Sequence, residues 1–76
     1  MTKREAVRKT LLNLRKLGFR RFDLLGLTRM VREDYGFGIT DGSVSRYLRF
    51  ENADPFSPVQ SECISRRKSW YRFVDP

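Results

Sequence analysis

Apolar residues fall at helical spacing in three stretches of this chain, and a fourth stretch reads as paired strands. In the first, Val7, Leu11, Leu14 and Leu17 share one helical face. Thr2-Lys3-Arg4-Glu5 ahead of them has the form of a capping box, and Gly18 is a natural stop. A helix is predicted from about Lys3 to Leu17, with Leu12 off the stripe and exposed. In the second, Leu24, Leu27, Met30, Val31 and Tyr35 form a stripe between Asp23, an N-cap, and Gly36, a terminator. Gly26 costs about 1 kcal/mol against alanine in a helix interior and less in a first turn. There it also leaves room for a neighbouring helix. The third stretch is Ile39–Phe50. Thr40 is its N-cap, Ile39 packs back from just before the cap, and Val44 and Leu48 face inward together. Asp41, Gly42, Ser43, Ser45, Arg46 and Arg49 are left for its other faces.

The connections carry their own signals. Phe19-Arg20-Arg21-Phe22 is too short for more than an extended link or a very short strand. Gly36-Phe37-Gly38-Ile39 makes a corner, its glycines permitting positive φ. Glu51 to Pro58 is rich in Pro, Asn, Asp and Ser and reads as a loop, with Phe56 tucked into the core. Val59–Ile64 and Trp70–Val74 are strand-like, and Ser65-Arg66-Arg67-Lys68-Ser69 between them makes a hairpin with a basic tip. Period-two alternation puts Tyr71 and Phe73 inward and Arg72 outward. Cys63 is expected as a small core residue, and Trp70 as structural or as a stacking platform for a base.

Composition narrows the chemistry. The chain has 76 residues, enough for one domain with a thin core. Its single cysteine and lack of histidine exclude a Cys/His zinc site and any Ser-His or Cys-His catalytic pair. Gly36, Gly38 and Asp41 fail the dinucleotide glycine pattern at its third position, and no G-K-[ST] occurs. No enzyme activity, metal or cofactor is expected. No apolar stretch is long enough to span a membrane, and no apolar run follows the charged N-terminus. One cysteine fits a reducing cytoplasmic setting, nucleoid-associated or in a host-cell interior. The net charge of +7 points to a polyanionic partner. Its distribution is uneven. Residues 1–21 hold eight Lys/Arg against one Glu, whereas residues 22–57 hold four Arg against six Asp/Glu. Arg4, Arg8 and Arg15 flank the first stripe, as a solvated helix face or as phosphate contacts.

Ser43-Val44-Ser45-Arg46, followed by Tyr47-Leu48-Arg49, resembles the recognition helix of helix-turn-helix DNA-binding proteins. The order helix, link, helix, turn, helix, loop and basic hairpin is similar to that of the winged helix-turn-helix domains over nearly the whole chain. The resemblance implies an α+β fold, one domain over residues 1–76, with three helices followed by a two-stranded β-hairpin wing. It implies double-stranded DNA as partner, the third helix in the major groove and the wing on the backbone or in the minor groove. Carried onto this chain, Asp41, Gly42, Ser43, Ser45 and Arg46 would meet DNA through the third helix, with Arg49 further along it. Arg66, Arg67 and Lys68 would meet it through the wing. Arg46 would read guanine O6/N7 or hold a phosphate, and Ser43 and Ser45 would donate to phosphates. Asp41 would complement the helix N-terminus or accept from a cytosine amine. A transcriptional regulator of phage, plasmid or viral type suits the size. With no spare helix for a dimer contact, a monomer or a weak, DNA-assisted homodimer is expected. Two alternatives use the same features: an RNA- or single-strand-binding protein working through the basic N-terminal helix, and a winged helix used as a protein-interaction module.

Overall fold

The described residues of the computed structural model form three helices and three strands, in the order α1 (Lys3–Lys16), β1 (Arg21–Asp23), α2 (Leu24–Tyr35), α3 (Asp41–Ala53), β2 (Ser61–Ser65) and β3 (Trp70–Phe73). The structure describes residues 1–36 and 38–74; Phe37, in the expected glycine corner, and Asp75 and Pro76 lie outside the described residues.

Local signals start and stop the helices. Thr2 Oγ1 accepts the Glu5 N–H at 3.1 Å and opens α1. At its other end Gly18, at φ 92°, closes a two-bond cap. Gly18 N–H reaches the Arg15 carbonyl and Phe19 N–H the Leu14 carbonyl, both at 3.1 Å. Leu17 is thereby the cap residue rather than the last core residue, and it is 65% exposed against expectation. Asp23 is the backbone N-cap of α2, but its side chain makes no cap bond. The first N–H of that helix, from Leu24, is instead taken by the Ser69 carbonyl at 3.0 Å, which ties the hairpin to α2. A Cβ on Gly26 would lie 2.6 Å from Asp23 Oδ1, so the crowding there comes from the cap residue, not from a neighbouring helix. Gly36 ends α2 in the left-handed region.

Helix α3 runs three residues past the expected end at Phe50. Asp54, which precedes Pro55, is its C-cap, because a residue before proline is driven out of the helical region. Glu51, expected in a loop, is therefore helical, and it is fully buried.

The core is built from Ala6, Val7, Leu11 and Leu14 of α1, Leu27 and Val31 of α2, and Val44 and Leu48 of α3, closed by Phe22, Ile39 and Val59. The sheet has three antiparallel strands in the order β1-β3-β2, not the expected two. The extra strand is the short link: Arg21 pairs with Arg72, Phe22 with Tyr71 and Asp23 with Trp70. Phe22 is held there by neighbouring rings, stacked on Tyr71 at 5.5 Å and tilted against Phe73 at 5.0 Å. Tyr71 and Phe73 do pack on the core, and Arg72 is exposed, as the alternation required.

Two expected core residues are outside it. Cys63 is exposed: it lies opposite Tyr71 on the edge strand β2, whose buried end is Ser61, hydrogen-bonded to Asn52 of α3. Phe56 is 92% exposed. Its N–H donates to Asp54 Oδ1 at 2.9 Å, and this polar turn directs the ring outward while Val59 fills the apolar slot.

Candidate nucleic-acid interface

The register of α3 sorts its residues into faces. Val44, Leu48 and Glu51 point inward, so Gly42, Arg46 and Arg49, at spacings of four and three, fall on the opposite side, and all three are exposed. Arg46 and Arg49 have no carboxylate partner among the described residues. Arg49 is as well placed as Arg46, which its position further along the helix did not suggest. Ser43 and Ser45 are half-buried on the two flanks of this line. Asp41 is half-buried on the core side and adds negative charge to the first turn, where the helix dipole favours it.

The front of α3 is held rigidly. Thr40 Oγ1 accepts the Ser43 N–H at 3.2 Å and donates to Ser43 Oγ at 3.1 Å. The Ser43 hydroxyl is left with its own proton to donate outward. Arg32 of α2 reaches across the turn, its Nε donating to the Ile39 carbonyl at 2.7 Å. A guanidinium thus stands beside the start of α3, with no carboxylate paired to it among the described residues. Reading the sequence missed Arg32. Nothing in its neighbourhood distinguishes it from the other α2 charges until the turn folds it back.

The hairpin tip places Arg66, Arg67 and Lys68 in solvent, also without carboxylate partners among the described residues. Ser69 closes the tip at φ 53°, a left-handed conformation held by its carbonyl's bond to Leu24 N–H. No hydrogen bond or ion pair among the described residues joins the α3 face to these three. They are two separate basic features on one small body.

The basic flank of α1 is used differently. Arg8 grips Glu51 with Nε at 3.0 and 3.1 Å and Nη2 at 3.0 Å, and Ser57 Oγ donates to the same carboxylate at 2.6 Å. Arg4 adds a contact to Glu51 at 3.7 Å and lies over the Phe50 ring at 5.5 Å. Arg15 donates to the Pro58 carbonyl. Burial works against the Glu51 charge, but hydrogen bonds from Arg8 and Ser57 and the charges of Arg8 and Arg4 outweigh it. The carboxyl is held below its ordinary value. The Arg8 guanidinium is raised, chiefly by its hydrogen bonds to Glu51.

Among the described residues no group of His, Cys, Asp or Glu is placed to hold a metal ion, and no helix is long and apolar enough to cross a membrane. No family model, curated protein or solved structure matches the chain.

Proposed function

We propose that the chain is a winged helix-turn-helix protein that binds double-stranded DNA with sequence preference, acting in regulation of transcription. The observation that carries the reading is the exposed line Gly42–Arg46–Arg49, two arginines without a carboxylate partner among the described residues, behind a glycine on a helix whose other side is the core. A helix of this kind enters a major groove backed by a rigid body, and its arginines reach base edges or phosphates. The exposed tip residues Arg66, Arg67 and Lys68 supply salt-dependent attraction to the backbone. Arg32, beside the capped start of α3, suits a flanking phosphate. The α-β order, with the hairpin after the third helix, supports the same reading.

The α1 charges argue against the alternative of RNA binding through the N-terminal helix. Its arginines Arg4, Arg8 and Arg15 each already hold a partner within the protein. The deciding experiment is selection from a random duplex library, with the enriched pool retested at two salt concentrations against unrelated duplex and single-stranded RNA. A short enriched motif whose preference survives higher salt is the expected result, and a doubled motif would mark a DNA-assisted pair. Absence of enrichment, with RNA bound equally well or better, would replace the reading. Absence of any nucleic-acid binding would leave a protein-interaction module.

A further inference from the structure

A cleft of about 740 Å³ opens at the base of the hairpin, away from its tip, between the end of α1, the link into β1 and the outer face of the sheet. Its size is that of sites for small ligands. Arginines dominate its wall among the described residues: Arg20, Arg21 and Arg72 stand there with Arg15, against one described acid, Glu62. The sheet register sets Arg21 directly opposite Arg72 across the β1–β3 pair. Like charges so placed repel each other in the free protein. Glu62 pairs with Arg72 from the other side, so it answers only one of the two. Arg20 and Arg21 have no carboxylate partner among the described residues. The backbone that carries them is fixed, with the Arg20 carbonyl accepting Phe73 N–H at 3.0 Å.

The same wall presents an aromatic ring. Phe19 is pinned at the backbone by the α1 cap, through its N–H to the Leu14 carbonyl, yet its side chain is 55% exposed. An apolar ring kept in solvent on a rigid corner, next to Arg20 and Arg21, which have no carboxylate partner among the described residues, matches a ligand that has both a flat face and negative charge. We propose that this cleft is a nucleotide site, with phosphate oxygens on Arg20, Arg21 and Arg72 and the base stacked on Phe19. The nucleotide is either free or a unit of a single strand. The site lies apart from α3 and the hairpin tip, and it does not depend on duplex binding there.

Amide and arginine side-chain NMR spectra of the full chain test it, with adenosine 5′-monophosphate, inorganic phosphate and an oligo-dT octamer as probes. Saturable shifts from the monophosphate should centre on Phe19–Arg21 and Arg72 and spare Arg46 and Arg49. Phe19→Ala should weaken the monophosphate about tenfold, the size of one base–aromatic stack, and leave inorganic phosphate unchanged. Arg21→Ala should weaken both. Neither side chain is in the core, so retained amide dispersion is expected of both variants, and Arg46→Ala serves as a variant with the cleft intact. Tighter binding of the octamer would name the single strand as the source, and equal or weaker binding the free nucleotide. Shifts spread evenly over all basic residues, binding no tighter for the nucleotide than for phosphate, or indifference to Phe19→Ala would overturn the proposal. Loss of duplex binding by Arg46→Ala with the cleft still responsive would separate the two sites.

Discussion

At the scale of single residues, the contrast between Arg46 and Arg8 shows what decides an arginine's role. Both lie on amphipathic helices and both stand close to apolar neighbours. Arg8 faces a buried carboxylate and is bound to it by three hydrogen bonds. Arg46 faces outward with no acid in reach among the described residues. An unpaired arginine on a helix surface contributes little to folding, so its removal should act on binding alone. Arg46→Ala is expected to weaken binding to a selected duplex by about 1–3 kcal/mol and to relax preference at one base position, with the unfolding midpoint unchanged. Competition binding against singly substituted duplexes measures this. An unaltered preference would remove α3 as the reader. Arg49 shares the outward line and should show a similar loss, on a neighbouring base or phosphate.

At the scale of elements, the hairpin is more than a pair of strands with a charged end. Its third strand, β1, comes from the link after α1, and the Ser69 carbonyl completes the first turn of α2. The tip is therefore held in place at its root, while Arg66, Arg67 and Lys68 project from it with no ion pair of their own among the described residues. Neutralising all three should lower affinity for every duplex by a similar factor. It should also reduce the slope of log affinity against log salt by about 2–3, since each phosphate neutralised by a cation adds about 0.9 to that slope. Titrations at several salt concentrations give this slope directly. An unchanged slope would take the tip off the phosphates. Stability should alter little, because the fixed parts of the turn are backbone bonds.

At the scale of the whole molecule, Glu51 is the point where α1, α3 and the following loop are joined. Its carboxylate takes Arg8 from the first helix and Ser57 from the loop, with Arg4 nearby. Because its folded pKa is lowered, the protonated form belongs more to the unfolded chain. The stabilisation is thus complete above the ordinary carboxylate value of 4.5 and is lost as pH falls below it through the lowered folded value. Urea unfolding between neutral pH and about pH 3 should show this acid-side loss. Glu51→Gln should cost about 2 kcal/mol at neutral pH, at the low side for a broken buried pair because Arg8 is partly exposed and can turn to water. The variant should also lose much of the acid dependence. A wild-type pH profile in the variant would mean that other carboxylates govern acid unfolding.

How far the chain could be read without its fold follows the range of the interactions concerned. Helix stripes, caps and stops act within a few residues. Thr2, Thr40, Gly18 and Gly36 thus marked three helices before any packing was known, and the alternation of Trp70–Phe73 assigned its two faces. The outward position of Arg46 followed in the same way from Val44 and Leu48. Pairings between distant residues were not legible. Arg21, Phe22 and Asp23 form a strand only because β3 offers an open edge and two rings to pack on. Glu51 looked like loop because Asn, Asp, Ser and two prolines follow it; it is helical because α3 runs on to its stop before Pro55, and its burial is matched by Arg8, 43 residues away. Arg32 reaches the start of α3 only once the turn is made. The three helices, the hairpin after them and the basic character of the chain were already set by the residues in line, since these depend on local geometry and composition. Which charges stay free was settled by folding, since that depends on the partners brought within a few ångströms.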